Sequence, residues 1–331
     1  MTERPLDVVG IGNAIVDVLA QSDEAFLAAK GLAKGSMTLI ESEVADRIYA
    51  AMGAGVECSG GSAANTMVGV ASLGGRAAFL GKVKNDQLGE VFMHDIRAVG
   101  VEFTTPPTTR GAGTARCLIM VTPDGQRTMA TYLGAAVEFS EADVVSGTIS
   151  SAAYTYLEGY LFDKPSAKAA FRKAVDLAHE SDGKVALTLS DSFCVDRHRD
   201  DFLALIDHGV DVLFANEAEI KALYRTRTFD EALQAMRGRN LIAALTRSEA
   251  GSVIVKGEDI HVVEATKVAR VVDTTGAGDL YASGFLHGLA RGMTLAASAR
   301  LAGFCAAEAI GHFGARPQGN LAKLAAGAGM T

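Results

Sequence analysis

The chain predicts an α/β fold: a mostly parallel sheet covered by helices on both faces, with a small β-rich lid at its side. Three observations carry that expectation. Short β-branched runs alternate with longer amphipathic stretches, the rhythm of βαβ units. Two regions break this rhythm with short alternating pieces bounded by turns. Thirty-six glycines and no tryptophan in 331 residues suit tight turns and closely packed layers.

The strands expected in order are 6–11, 77–82, 153–157, 184–189, 211–214, 241–245 and 251–255, short apolar runs of the kind buried on both faces of a parallel sheet. Between and after them, apolar residues recur at helical spacing over 62–74, 86–99, 165–181, 198–208, 216–224, 228–238, 277–291 and 294–311. The interruptions are 13–58 and 103–133. They contain the alternating runs 36–40 and 115–121, the second followed by the turn Pro123, Asp124, Gly125. These read as a small antiparallel sheet able to close over a site. A large domain of 1–12, 59–102 and 134–331 and a lid of 13–58 and 103–133 follow. The Ala/Gly-rich tail from Leu321 to Thr331 reads as a fraying helix.

Composition narrows the function. A formal net charge of −8 argues against nucleic acid as a partner, because phosphodiesters are attracted by basic faces. No stretch is long and apolar enough to span a membrane, and the charged start lacks a signal-peptide core, so a cytoplasmic protein is expected. Cys58, Cys117, Cys194 and Cys305 have no CxxC spacing and read as reduced, mostly buried thiols.

Four constellations carry chemistry. Residues 273–279, DTTGAGD, join a strand-like run to a helix; Gly276, Ala277 and Gly278 let backbone N–H groups converge on an anion, while Asp279 stands ready to take a proton. A tight turn capped by Asp279 fits the same string. Gly60, Gly61 and Ser62 open a helix whose first turn carries Asn65, suited to a hydroxyl pair or to a plain hinge. Asn13 and Asp17 follow the first strand, where ligands of open α/β sheets bind; Asp17 is either a diol acceptor or a turn residue. Asn216 and Glu219, three apart after another strand, fit hydrated magnesium and equally a capping box. Thr246, Arg247 and Gly251 follow a further strand, and Arg127 sits in the lid hairpin.

In this order, GNAIVD, GGSAANT, GKVKNDQLGE, DGQRT, NEAE, TRSEAG and DTTGAGD resemble the ribokinase-like (PfkB) family of sugar and nucleoside kinases over nearly the whole chain. The resemblance implies a ribokinase-like three-layer α/β/α domain with a β-rich lid. It implies Asp279 as general base and an anion hole at Gly276, Ala277 and Gly278. The acceptor's hydroxyls would be held by Asp17, Gly61 and Asn65, with Asn13 and Ser62 beside them. Magnesium and the donor ATP would be served by Asn216 and, through water, Glu219, with Thr246, Arg247, Gly251 and Thr275 near the nucleotide. A monovalent cation such as K+ beside Asp273 and Thr275 occurs in parts of the family. Lys84 and Ser248 stand where these kinases commonly have glycine. The long insert between Asp17 and Gly60 suits a flat base, and residues 127–134 look like the adenosine kinase branch, in which the lid arginine matching Arg127 contacts the transferred phosphate. The expected activity is ATP-dependent phosphorylation of the 5′-hydroxyl of adenosine or a related purine nucleoside, by a monomer or homodimer. The alternatives are a sugar kinase of the ribokinase, fructokinase or 2-keto-3-deoxygluconate kinase type, and a nucleoside-binding regulatory protein with little turnover.

Overall fold

A computed structural model describes residues 4–330; residues 1–3 and 331, the outermost parts of the expected large domain and tail, lie outside them. The chain begins with β1 (Leu6–Ile11) and crosses into a first excursion of β2 (Ile15–Gln21), α1 (Glu24–Ala29), β3 (Met37–Leu39), α2 (Ser42–Tyr49) and β4 (Gly55–Gly60). It returns through α3 (Ser62–Ser72), β5 (Ala77–Leu80), α4 (Gln87–Ala98) and β6 (Val101–Phe103), then leaves again as β7 (Ala115–Val121) and β8 (Arg127–Tyr132). The rest follows the expected rhythm: α5 (Ser146–Ser151), β9 (Ala152–Glu158), α6 (Pro165–Glu180), β10 (Lys184–Thr188), α7 (Ser192–Gly209), β11 (Val212–Asn216), α8 (Glu217–Tyr224), α9 (Phe229–Met236) and β12 (Ile242–Thr246). It closes with β13 (Ser252–Lys256), β14 (Asp259–Val263), α10 (Ala277–Ala290), α11 (Leu295–Ala309) and α12 (Leu321–Gly327).

Among the described residues the main sheet has the order β14-β13-β12-β11-β10-β9-β1-β5-β6, parallel from β12 to β6 and antiparallel at β12-β13-β14. One apolar core joins a face of this sheet to α6, α7, α8 and α9 through residues such as Phe171, Phe202 and Ile220. The other joins the opposite face to α3, α10 and α11 through Met67, Phe285 and Ala302. Helices on both faces make the three-layer arrangement that the resemblance implies.

The second sheet has the order β3-β8-β7-β2-β4 and corrects one expectation. It is mixed: β2-β7 and β3-β8 are parallel, β2-β4 and β7-β8 antiparallel. Its neighbours β2 and β7 come from separate excursions that both leave the main sheet in the same direction. Its back face, with Val16, Val18, Leu118 and Ala130, is buried against Leu27 of α1 and Ile48 of α2.

Three further differences have local causes. Helix α7 starts at Ser192, six residues before the expected 198, because Asp191 caps it by accepting from the Cys194 N–H at 2.6 Å; non-helical angles at His198 kink it and hide the continuity. Strand β14 is an edge strand whose Ile260 and Val262 stay exposed, so burial patterning does not announce it. The tail helix α12 is anchored rather than frayed, with Leu321 and Ala325 buried in a satellite core beside α11.

Candidate active site

Strand β1 lies between β9 and β5, so the chain turns to opposite sides of β1 and a crevice opens beyond the carboxyl ends of β1 and β9. Asn13 follows β1 and Glu158 ends β9. Glu158 is 1% exposed; its carboxylate accepts from the Asn13 side chain at 2.9 Å, the Asn13 N–H at 3.3 Å and the Ala63 N–H at 2.8 Å. Burial pushes its pKa up to about 7 against those bonds. One buried acid therefore pins the residues after β1 to the first turn of α3. The turn itself needs Gly61, whose φ is +100° and where a Cβ would stand 2.2 Å from the Asn13 carbonyl oxygen. Asn13 Oδ1 is buried without a hydrogen-bond partner among the described residues, an acceptor available to a ligand hydroxyl.

Helix α10 faces this crevice with its N-terminus. Gly276 caps it in the left-handed region at φ +78°, and a Cβ there would meet the Ala315 backbone at 2.5 Å. Of the three amides expected to form an anion hole, the Ala277 N–H is engaged with the Thr274 carbonyl at 3.2 Å, which corrects that part of the reading. The N–H groups of Gly276 and Gly278 have no acceptor among the described residues, leaving them, with the helix dipole, to face negative charge. Asp279, half-buried, accepts from Ser62 Oγ at 2.6 Å and from Asn65 Nδ2 at 3.2 Å. Loss of water raises its pKa to about 6, against the pull of both donors. At neutral pH it is an anion of raised basicity, the state a general base needs.

The lid supplies the opposite wall. Asp17 lies on the sheet face turned toward the large domain, directly between Cys58 and Cys117 in the strand register, with Thr131 next in the row. Burial raises its pKa to about 6, opposed by the positive charges of Arg316 and Arg127 and reinforced by Asp279. The next row on that face is apolar across all five strands: Val56, Leu19, Ile119, Met129 and Met37. Val56 is 68% and Met37 51% exposed. Arg127, at the start of β8, bonds Asp273 at 3.0 Å with both side chains nearly buried, and lies 5.6 Å from the Phe313 ring. Asp273 also accepts from Thr275 N–H and Oγ and from the Gly314 N–H, so lid, DTTGAGD loop and C-terminal loop meet at one carboxylate.

On the far side of the α10 N-terminus is a cavity of about 930 Å³, within the range of small-molecule sites. Thr246, Gly251, Lys267, Thr274, Gly278 and Tyr281 line it, with Ala299, Gly303 and Ala306 of α11 as its floor. Asn216 is the register partner of Thr246, which brings the two strand-end motifs together beside it. Asn216 and Glu219 form a reciprocal capping box, Asn216 Oδ1 accepting from the Glu219 N–H and Glu219 Oε2 from the Asn216 N–H, each at 2.9 Å. Glu219 is 5% exposed and burial raises its pKa to about 7. Among the described residues, no group of three or more His, Cys, Asp or Glu stands ready to hold a metal alone. Both Glu219 oxygens are held by Asn216, so the pair would meet a metal ion only through water.

The structure thus brings Asn13, Asp17, Gly61, Ser62, Asn65, Gly276, Gly278, Asp279 and Arg127 around one crevice, with Thr246, Gly251, Asn216 and Glu219 on the other side of α10. Two expected residues turn elsewhere. Arg247 pairs with Glu217 at 3.1 Å and stacks on Phe229 at 4.3 Å, outside the cavity wall. Thr275 is taken by Asp273, and Thr274 lines the cavity instead. Reading the sequence missed Glu158, Arg316 and the α11 floor. An acid closing an apolar parallel strand is a signal for Glu158, and small residues at 299, 303 and 306 are one for α11; a lone arginine in a Gly/Pro loop gives none.

Residues 37–321 match the family model described as pfkB family carbohydrate kinase. The adenosine kinase of Sinorhizobium meliloti has a crystal structure that is 51% identical, with a TM-score of 0.89 over 98% of this chain and 99% of that one. A protein from Rhizobium etli CFN 42 described as a "probable sugar kinase" is 46% identical, with a TM-score of 0.91 over 99% of this chain and 100% of that one. The adenosine kinase of Saccharomyces cerevisiae is 26% identical over 330 residues, 93% of this chain and 95% of that protein.

Proposed function

The chain belongs to the pfkB family of carbohydrate kinases, and from that premise we propose that it transfers the γ-phosphoryl group of ATP to the 5′-hydroxyl of adenosine or a related purine nucleoside. One observation carries the choice of nucleoside: the apolar row of Val56, Leu19, Ile119, Met129 and Met37, exposed at both ends and half-buried or buried between them, lies one step along the lid sheet from the diol-suited Asp17. A purine ring covers such a row with a broad apolar face, whereas a free sugar offers only a small C–H patch rimmed by hydroxyls. The likeness to adenosine kinases supports the same reading.

In this reading Asp17, Asn13 and Asn65 bond the ribose and fix its 5′-hydroxyl beside Asp279. Asp279 accepts the hydroxyl proton as the oxygen attacks the γ-phosphorus in line, and the bond to the leaving ADP oxygen breaks. The Gly276 and Gly278 amides meet the charge spreading over the transferring group. Arg127 adds positive charge from the lid edge. Asn216 and Glu219 are the residues that would hold the waters of a magnesium ion accompanying ATP, which would supply neutralisation of phosphate charge. Donor in the 930 Å³ cavity and acceptor in the crevice would thus lie on opposite sides of the α10 N-terminus.

The test is a panel of adenosine, inosine, guanosine, ribose and fructose at one ATP concentration. Adenosine is expected to exceed ribose in kcat/KM by at least about a hundredfold, since a covered base adds several kcal/mol of binding. A preference for a free sugar rejects the nucleoside reading. Calorimetric adenosine binding with no ADP release rejects the enzyme.

A further inference from the structure

Arg316 lies in the loop between α11 and α12, far in sequence from every residue it touches. Its Nε donates to Asn65 Oδ1 at 3.3 Å, its Nη1 to Asp95 Oδ2 at 3.0 Å and its Nη2 to Ser59 Oγ at 2.6 Å. Every nitrogen of the guanidinium is used, on partners from α3, α4 and the lid strand β4. Ser59 is itself bonded through its N–H to Asp95 at 2.7 Å and precedes the Gly60, Gly61 turn. The two residues before Arg316 are equally engaged: Gly314 N–H bonds Asp273, and Ala315 packs against Gly276.

The consequence falls on an amide. Asn65 must present its NH2 to Asp279 and its oxygen elsewhere, because the reverse orientation would set oxygen against carboxylate. Arg316 has only donors, so its bond to Asn65 Oδ1 excludes the reversed amide. We propose that Arg316 is a positioning residue, whose planar fork locks the Asn65 amide toward Asp279 and ties lid strand β4 to the acceptor crevice. This inference rests on the kinase reading and concerns the acceptor side alone, since Arg316 does not line the donor cavity. Charge is not the essential property: a lysine cannot make three divergent in-plane bonds.

The test compares the wild type with Arg316→Ala, Arg316→Lys and Asp95→Asn, on whichever acceptor the wild type phosphorylates best. A change of acceptor then overturns the nucleoside reading and still tests Arg316. Arg316→Ala is expected to raise the acceptor KM at least about tenfold, the scale of one lost charged hydrogen bond, with the ATP KM little changed. Guanidinium chloride in tens of millimolar is expected to restore part of the loss, and Arg316→Lys is expected to resemble Arg316→Ala. Asp95→Asn, which loosens the fork from behind, is expected to move the acceptor KM in the same direction by less, and it carries the test if Arg316→Ala does not fold. An unchanged acceptor KM in the arginine variants, or full activity in Arg316→Lys, overturns the proposal. So does a lowered melting temperature with equal losses toward acceptor and ATP and no guanidinium rescue, which is the signature of a purely structural residue.

Discussion

Replacing Asp279 with Asn removes the proton acceptor while keeping its shape, and the structure sets two opposite consequences. The fold raises the carboxyl pKa from 3.8 to about 6, which corresponds to about 3 kcal/mol of unfavourable burial of the anion. Because the folded value exceeds the unfolded one, the folded chain holds more protons between those values. The contribution of this group to stability therefore falls as pH rises from about 4 to 6 and stays low at neutral pH. Asparagine carries no such charge, and it can turn its oxygen to Asn65 and its NH2 to the Ser62 hydroxyl. Asp279→Asn is thus expected to melt several degrees above the wild type at pH 7.5, yet turn over at least about a hundredfold more slowly, the lower end for loss of a general base. Acceptor affinity should change little, since Asp17, Asn13 and Asn65 remain. The assay is ADP release at saturating ATP, beside thermal melting and calorimetry on the same preparations. Turnover within a few-fold of the wild type would refute the general-base role, and a lower melting temperature would refute the account of the buried anion.

Three more expectations follow from the same geometry. Gly276→Ala puts a methyl into the Ala315 backbone at a φ of +78°, at a backbone cost of about 1–2 kcal/mol before any clash; melting and turnover should both fall, and an unaltered variant would refute the fit. At Gly303 a Cβ meets only Thr266 Oγ at 3.4 Å, so Gly303→Leu should grow into the cavity. It is expected to raise the ATP KM at least about tenfold while leaving calorimetric acceptor binding intact, and an acceptor-side defect would argue against a donor cavity. In the wild type, Glu158 and Glu219 have pKa values raised to about 7, so melting temperature should rise as pH falls from 8 to 6.5. Below 6.5 His287, whose pKa burial lowers to about 4, opposes the trend; a melting temperature that drops between 8 and 6.5 contradicts it.

What the sequence made legible is what depends on near neighbours along the chain. DTTGAGD could be read because its glycines and carboxylate act within one helical turn, and the parallel strands because burial on both faces leaves short apolar runs. The capping box of Asn216 and Glu219 was readable for the same reason. The lid sheet's direction was not, because strand orientation between separate excursions is a property of the assembled topology. Arg247 turns to a neighbouring Phe229 and Glu217, a stack and a charge that spacing does not display. Arg316 was invisible because its three partners lie hundreds of positions away along the chain.

The same distinction explains where acceptor choice resides. The hydrogen-bonding groups that face the crevice, Asn65 and Asp279 of the large domain with Asn13 beside them, are ones that a ribose diol or a free sugar satisfies alike. In the proposed reaction they would orient a hydroxyl and take its proton. Discrimination needs a surface whose chemistry differs between the candidates, and the proposed reading assigns it to the lid row from Val56 to Met37. Helices α1 and α2 lie behind the lid sheet, and β3 and β4 extend the apolar row to both edges. In the proposed reading, catalysis and specificity therefore separate physically: polar groups after β1 and on the first turns of α3 and α10 would perform the transfer, and an apolar lid face would select what receives it.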